Sequence, residues 1–360
     1  MPEIWLNYGK TDIVLDIRAE NLDQQLESQG KELDDTIFSE KLDTLDITKP
    51  MELVVLNNSK SVQKTLLAIF EKCEQKSVAK PQIYADKNIM NFVKSYLPEG
   101  MEISEFGNDN LSKSSLVFVG EMEFDGLFGF QTIATRLIKK FGSEEMLNAY
   151  LQRKGNLPAP GETLDNIQIA RKFSDSFEIK AIEIASNHTG PVDISVGHPS
   201  STMSISKTFS ESVSREVEKH RTMMISTGKD ASNDTLSKSL ASLWNCNAAI
   251  KDNGLAVLLA ECKNGIGSEA IQQFMEGRMS LDRLNKPAKY VDGMEDLLFL
   301  TEIQKRFQIG LVSILPEFYT KKLGITSFAG IKRAMDYILK TQSVKQKVAV
   351  VSDGARILLR

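Results

Sequence analysis

The chain has 360 residues, of which 41% are hydrophobic and 26% are charged. That length is more than one ordinary hydrophobic core needs, and the composition is typical of a folded globular protein rather than a disordered one. The 44 basic and 48 acidic residues leave a net charge of −4, which argues against a protein that binds nucleic acid through a broad basic field.

Cysteine usage and the lack of long apolar runs indicate in which cellular compartment the protein is expected. Cys73, Cys246 and Cys262 lie far apart and form no CxxC pair, so neither a structural zinc site nor a disulfide framework is predicted. The first residues do not resemble a secretory signal, and no apolar stretch reaches the ~18 residues that span a membrane. We expect a cytoplasmic protein with reduced thiols, without a nucleic-acid or membrane partner; the sequence does not indicate an oligomeric state.

In the first half of the chain, strands and helices alternate. Residues 3–8 and 12–17 alternate polar and apolar side chains and predict an antiparallel pair around a turn at Gly9 and Lys10. Residues 21–47 are polar with short helical stretches. Strands are predicted at 52–56, 81–85, 101–103, 115–119 and 177–184, and helices at 61–73, 86–97, from about 131, and at 163–172.

The second half repeats this alternation. Strands are predicted at 222–226, 254–261, 310–314 and 347–351, and helices at 234–251, 268–276 and 327–340. Such alternation implies two α/β domains with mostly parallel sheets and right-handed crossovers. The predicted boundaries are an N-terminal domain over 1–205, a linker helix over 206–221, a C-terminal domain over 222–346, and a closing strand and turn over 347–360.

The segment 120–142, GEMEFDGLFGFQTIATRLIKKFG, joins a strand, an acidic glycine-containing loop and a helix. Glu123 and Asp125 are two residues apart, so in an extended chain their side chains point to the same side. Two neighbouring carboxylates can form an acid/base pair or bind a hard cation, and we predict both as catalytic residues. The alternative is a solvated loop that positions the glycines.

Two loops in the second half are candidates for binding an anion. Residues 226–235 connect a strand to a helix, and a helix N-terminus favours anions. Lys229 is the best candidate to meet a carboxylate or phosphate, and Ser232 or Asn233 would cap the helix. The loop lacks P-loop spacing, so an ordinary capped loop is the alternative. Asn264 lies in the next strand–helix loop. Ligands of open α/β sheets bind beyond the carboxyl ends of the strands. We therefore expect both loops to lie on the same rim of the cleft.

The order of several short motifs resembles the nickel-dependent lactate racemase family across nearly the whole chain. The matching segments are 8–13 (YGKTDI), Gly120, Glu123, Gly129 and Phe130 of the acidic loop, 225–229 (ISTGK), 251–254 (KDNG), 264–269 (NGIGSE) and 347–354 (KVAVVSDG). The resemblance implies two α/β domains facing each other across a cleft. Active members hold a nickel-pincer nucleotide built on a lysine, with a histidine on the nickel and two further histidines as acid and base during hydride transfer.

The residues that carry this chemistry in the family are replaced here. Asp125 stands at a catalytic histidine, and Thr135 stands at the cofactor lysine, with Arg136 beside it. Lys238 and Ala241 stand at a glutamine and a lysine that hold substrate. The segment 57–61 (NNSKS, with Lys60) aligns with the family's Asp-His-Thr-Arg-Pro. Segment 85–89, which aligns with a histidine-bearing loop of the family, has no histidine, and Ile266 lies at the centre of the family's other histidine loop.

The chain has three histidines, all downstream of the acidic loop. His188 and His198 lie in segments that superficially resemble the family's histidine loops, but their place in the chain predicts turn and surface residues. His220 lies among charged residues, which predicts a solvated helical face. A nickel site without imidazole or thiolate in the right loop should be weak, so we predict no metal ligands.

The sequence therefore leads to one preferred hypothesis and two alternatives. We expect a lactate-racemase-like protein that binds a small carboxylate or phosphate in the cleft through Lys229, Asn233, Lys238, Asn264, Arg136 and Lys60. No cofactor is expected; a nickel-pincer nucleotide would be present only if the family mechanism survives. The first alternative is an active 2-hydroxy-acid racemase or epimerase that uses Asp125 and Glu123. The second is an unrelated two-domain transferase or dehydrogenase, which the lack of a complete GxGxxG motif weakens.

Overall fold

The structure is a computed structural model that describes residues 3–107, 111, 115–229 and 231–360. Its strands are β1 (Glu3–Tyr8), β2 (Thr11–Asp16), β3 (Leu22–Leu26), β4 (Glu52–Val55), β5 (Gln82–Ala85), β6 (Ile103–Glu105), β7 (Leu116–Glu121), β8 (Glu123–Asp125), β9 (Gly129–Gln131), β10 (Lys180–Ser186), β11 (Pro191–Gly197), β12 (Ser214–Arg215), β13 (His220–Ser226), β14 (Ile250–Leu259), β15 (Gln308–Val312), β16 (Thr326–Phe328), β17 (Val348–Val351) and β18 (Leu358–Leu359). Its helices are α1 (Asp35–Leu42), α2 (Lys60–Gln75), α3 (Met90–Lys94), α4 (Ile133–Phe141), α5 (Ser143–Leu151), α6 (Ile167–Ser174), α7 (Pro199–Thr202), α8 (Ser206–Val213), α9 (Leu236–Cys246), α10 (Glu269–Met275), α11 (Leu281–Asn285), α12 (Met294–Ile303), α13 (Glu317–Lys322) and α14 (Ile331–Thr341).

The first large sheet has the strand order β11-β10-β7-β4-β5-β6 and is parallel except for the antiparallel pair β10–β11. Successive residues of β4 point to opposite faces. Leu53 and Val55 pack with α1, α2 and α3, whereas Val54 packs with Ile133 and Leu137 of α4. Helices on both faces explain why these strands are apolar on both sides.

The second large sheet has the order β16-β15-β14-β13-β17-β3, and all of its strands are parallel. The β1–β2 hairpin and α14 cover one face, where Leu6 and Leu15 pack against Met224 and Val257. Helices α9, α10 and α12 cover the other face. The predicted fold class is confirmed: two α/β halves with mostly parallel sheets lie on either side of a cleft.

Two segments differ from the sequence prediction. Strand β3 pairs with β17, so Leu22–Leu26 belongs to the second sheet although the predicted boundaries placed it in the first domain. The predicted helix over 206–221 ends at Val213, and Ser214–Arg215 pairs with the C-terminal strand β18. The charges of 216–221 suggested a solvated helix, but His220 and Arg221 begin β13, which pairs with β14 and β17 inside the second sheet.

His220 was predicted on a solvated helical face, and that prediction was wrong. It begins β13, is 8% exposed, and its Nδ1 lies 2.8 Å from Oδ2 of Asp23 on β3. A carboxylate from the far N-terminus compensates the burial of the imidazole. The described helices include none that is long and apolar enough to cross a bilayer.

Candidate functional site

A cleft lies between the two sheets, and its largest cavity has a volume of about 330 Å³. The first half contributes the β8–β9 hairpin, α4 and the loop after β5, and the second half contributes α9, α12 and the loop after β14. Its lining includes Glu123, Asp125, Arg136, Lys139, Lys238, Ala241, Asp292, Glu295 and Asp296. We call this cavity the acidic end of the cleft because carboxylates outnumber cations in it.

The hairpin that carries the two predicted catalytic carboxylates is held in one shape. Gly129 has φ +81°, and a Cβ there would lie 1.9 Å from the carbonyl oxygen of Glu162. Only glycine fits this close backbone approach. Asp125 accepts the backbone N–H groups of Leu127 and Phe128 at 2.8 and 2.7 Å, so one of its oxygens stabilises the turn.

The second oxygen of Asp125 belongs to an ion-pair network across the cleft. Nζ of Lys139, on α4, lies 2.7 Å from Oδ2 of Asp125 and 3.2 Å from Oε1 of Glu295 on α12. Although burial alone would raise the pKa of Asp125, Lys139 and the turn N–H groups hold that pKa below its ordinary value. Burial opposes the charge of Lys139, but Asp125 and Glu295 raise its pKa far above the ordinary value.

Glu123 is also engaged. Its Oε2 lies 2.7 Å from Nη2 of Arg136, and the same guanidinium nitrogen donates to the carbonyl oxygen of Glu121 at 3.2 Å. Glu123 and Asp125 therefore point into one cavity, as the sequence predicted, but each has its own cation. Their role as catalytic residues remains a prediction.

Asp296 is a buried carboxyl group of the cleft whose pKa is raised above its ordinary value. Burial and the neighbouring Glu295 raise the pKa of Asp296 to about 7. Ser237 donates a hydrogen bond to Oδ2, and the indole N–H of Trp244 approaches Oδ1 at 3.4 Å. Asp296 was not among the residues predicted from the sequence. The available signal was the Glu295-Asp296 pair directly before the apolar run Leu297–Leu300, which places two acids at the edge of a buried helix.

A second cavity, of about 300 Å³, forms the basic end of the cleft. It brings together Lys60, at the first position of α2, and Lys229, in the loop after β13, together with Arg356. A narrow space of about 30 Å³ lies between the two ends and shares Arg356 with the basic end and Glu123 with the acidic end. Two of the predicted ligand residues from opposite halves thus line one cavity.

The remaining predicted ligand residues are divided. Lys238 lines the acidic end, and its ammonium forms no ion pair within the described part of the chain. Asn233 has a structural role instead: its Oδ1 accepts the N–H of Gly9 at 3.0 Å, and its Nδ2 donates to the carbonyl oxygen of Gly228. Asn264 is exposed and lines neither end. The assignment of these side chains as ligand-binding residues remains a prediction.

The fold was compared with known proteins. The lactate racemase apoprotein from Thermoanaerobacterium thermosaccharolyticum superimposes with a TM-score of 0.71 and 18% identity over 100% of both chains. A protein from Thermotoga maritima superimposes with a TM-score of 0.66 and 9% identity over 93% of this chain and 100% of that one. No protein-family model and no curated protein matches the sequence. The chain has a lactate-racemase-like fold. At these identities the likeness concerns the fold alone.

The residues that the sequence resemblance places at the cofactor positions do not fit a nickel-pincer group. Thr135, which the resemblance places at the cofactor lysine, is fully buried and forms a capping box with Thr132 at the start of α4, so this position carries no amine. Lys139, one turn further along α4, is held as an ammonium by two carboxylates. In the ranges described, no three His, Cys, Asp or Glu side chains come together as a metal ion would require. His188 lines the basic end, with Nδ1 2.8 Å from Oγ of Ser28, and His198 caps α7.

Proposed function

We propose that this lactate-racemase-like protein binds a small carboxylate or phosphate at the basic end of its cleft, and that the nickel-dependent chemistry of the lactate racemase family is lost. One observation carries the proposal: Lys60 and Lys229, from opposite halves of the molecule, line one cavity of about 300 Å³. An anion there would neutralise cations of both halves at once.

The surroundings of the two lysines support an anionic ligand. Lys60 forms no ion pair with a described residue, and it begins the 16-residue helix α2, whose partial positive charge at the N-terminus favours anions. Lys229 has Nζ 3.2 Å from Oδ1 of Asp12, a pair with 57% and 36% exposed side chains that a ligand can replace at low cost. Hydroxyl groups of Ser28, Ser61, Thr189 and Ser352 line the same cavity as further hydrogen-bond partners.

Ligand-induced changes in the melting temperature test this proposal. D-lactate, L-lactate and malonate are the probes, and a ligand at 100 times its Kd adds about 2.7 kcal/mol to the unfolding free energy. We expect a stabilising probe for the unmodified protein, and the same response for Lys238→Ala, because Lys238 lies at the acidic end. Lys60→Ala and Lys229→Ala should abolish the response. A response that survives both substitutions would overturn the site assignment.

A second candidate function, an active 2-hydroxy-acid racemase or epimerase, is favoured by Asp296. A buried carboxyl group with a pKa of about 7 is suited to general acid/base work, whereas Asp125 is held ionised by Lys139. Incubation with D- and L-lactate in D₂O, followed by NMR of the Cα proton, separates the two functions. Interconversion that Asp296→Asn abolishes would support the racemase. Stoichiometric nickel in the purified protein would contradict the proposed loss of nickel chemistry.

A further inference from the structure

A groove of about 370 Å³ lies at the end of the second sheet opposite the cleft. Four parallel strands begin there, with His220 on β13, Lys251 on β14, Lys347 before β17 and Asp23 on β3. The cleft, in contrast, lies beyond the carboxyl ends of these strands. The seven residues of β13 separate the two places by roughly 20 Å at about 3.3 Å per residue.

The groove is basic although the protein as a whole is acidic. Lys219, Arg221 and Lys251 line it, and none of the three forms an ion pair with a residue in the described ranges. Lys347 has only a distant carboxylate, with Nζ 3.9 Å from Oδ1 of Asp23. Glu218 is the other acid of the lining. The cations of the lining outnumber its acids, so a bound anion would reduce the repulsion among them.

His220 is the one buried side chain of this groove, and it is incompletely satisfied. Nδ1 lies 2.8 Å from Oδ2 of Asp23, which orients the ring and fixes the proton on Nδ1 in the neutral form. Nε2 is buried without a hydrogen-bond partner among the residues that the structure describes. A buried polar atom without a partner is costly, and a hydrogen bond to a ligand atom would relieve that cost.

We propose that this groove is a binding site for a small phosphate-bearing anion, centred on His220 and surrounded by Lys219, Arg221 and Lys251. Nε2 would accept the proton of a hydrogen phosphate or, in the protonated imidazole, donate to a phosphate oxygen. Arginine matches a phosphate with two parallel hydrogen bonds, and lysines add charge. The site is separate from the cleft, and neither binding event requires the other.

Inorganic phosphate is the probe for the test, with calorimetry for the affinity and ¹⁵N NMR for the histidine ring. Loss of one charge-assisted contact should weaken binding about tenfold in Arg221→Ala and in Lys251→Ala. Lys332→Ala, at an exposed position of α14 outside the groove, should bind as the unmodified protein does. Nε2 of His220 should shift saturably during the titration, and His220→Gln should weaken binding.

The exposed positions 221 and 251 keep the test decisive even if His220→Gln is unstable. Binding that Lys60→Ala removes but Lys251→Ala leaves intact would place the phosphate in the cleft and overturn this proposal while supporting the proposed function. Absence of any phosphate binding, or a tenfold loss in Lys332→Ala as well, would also overturn it. Tenfold losses confined to the groove variants would establish the site whether or not the cleft binds an anion.

Discussion

Lys139 connects the two halves of the molecule, because its ammonium lies 3.2 Å from the carboxylate of Glu295 on the far side of the cleft. The side chains are 20% and 8% exposed, so this ion pair is far less screened by solvent than a surface pair. The same ammonium neutralises Asp125. The contact therefore contributes to the positions of both cleft walls.

Replacing Lys139 with methionine should lower the unfolding free energy by about 3–5 kcal/mol, because two buried carboxylates lose their partner. The neighbouring Lys140 pairs with Asp86 at a more exposed place, so Lys140→Met is the matched control and should cost about 0–1 kcal/mol. Urea denaturation of the three proteins measures both values. Equal losses in the two variants would contradict a special role for Lys139.

Glu183 should make the protein less stable as the pH rises. Burial raises the pKa of Glu183 from 4.5 to about 8, although the N–H of Ile133 and the hydroxyl of Thr202 donate to it. A carboxyl group whose pKa is higher in the folded state binds its proton more tightly when folded, so its stabilising contribution is present at low pH and is lost between these two values.

To test this prediction, the unfolding free energy of the unmodified protein and of Glu183→Gln is measured between pH 5 and 8. This single group contributes a slope of about −1.4 kcal/mol per pH unit, which glutamine should remove because it does not titrate. Glu178→Gln, at an exposed position five residues earlier in the chain, should leave the slope unchanged. An unaltered slope in Glu183→Gln would show that other groups cause it.

A lysine introduced at position 135, which the resemblance aligns with the family's cofactor lysine, should destabilise the protein. Thr135 is fully buried, its hydroxyl accepts the N–H of Thr132 at 2.7 Å, and its own N–H donates to the Thr132 hydroxyl. Thr135→Lys would lose a cap worth about 1 kcal/mol and bury an ammonium at a further cost of several kcal/mol. Thr135→Ser keeps the hydroxyl and should remain close to the unmodified protein. If Thr135→Lys melted at the same temperature as the unmodified protein, the prediction would be refuted.

Asn233 and Asn264 were predicted alike from the sequence, but their substitution should have different effects. Asn233→Ala leaves the N–H of Gly9 and the carbonyl oxygen of Gly228 without partners, which should cost about 1–3 kcal/mol. Asn264→Ala changes an exposed side chain and should stay within about 0.5 kcal/mol. Chemical denaturation compares the two. Matching losses would mean that Asn264 has contacts beyond those seen here.

Local patterns predicted most of the regular elements because their signals lie within one segment. Strand β3 was missed because Leu22–Leu26 has few apolar residues and its only sheet partner, β17, lies near the other end of the chain. Helix α12 was missed for the opposite reason: it is buried nearly all round, so it has no amphipathic period to detect. Long-range pairing and full burial both remove the periodicity that a local reading needs.

The sequence predicted the residue types of the cleft better than their roles. Lys60 and Lys229 were named separately, and the structure places them at one cavity. Asp125 was named as a catalytic group, but its cation, Lys139, lies fourteen residues further along the chain and nothing in the local pattern pairs them. The packing of helices and strands decides which charged side chains meet. The protonation state of Asp125 could therefore not be predicted from the spacing of residues in the sequence.

The pairing of β3 with β17 also has a consequence for synthesis of the protein. Strand β3 leaves the ribosome long before its partner β17, because most of the chain lies between them. Until then the edge of β3 is unpaired, and an unpaired edge strand readily adds to other chains. The second half is therefore expected to close late and in one step, whereas β4 to β11 are contiguous and can assemble while the remainder is still being made.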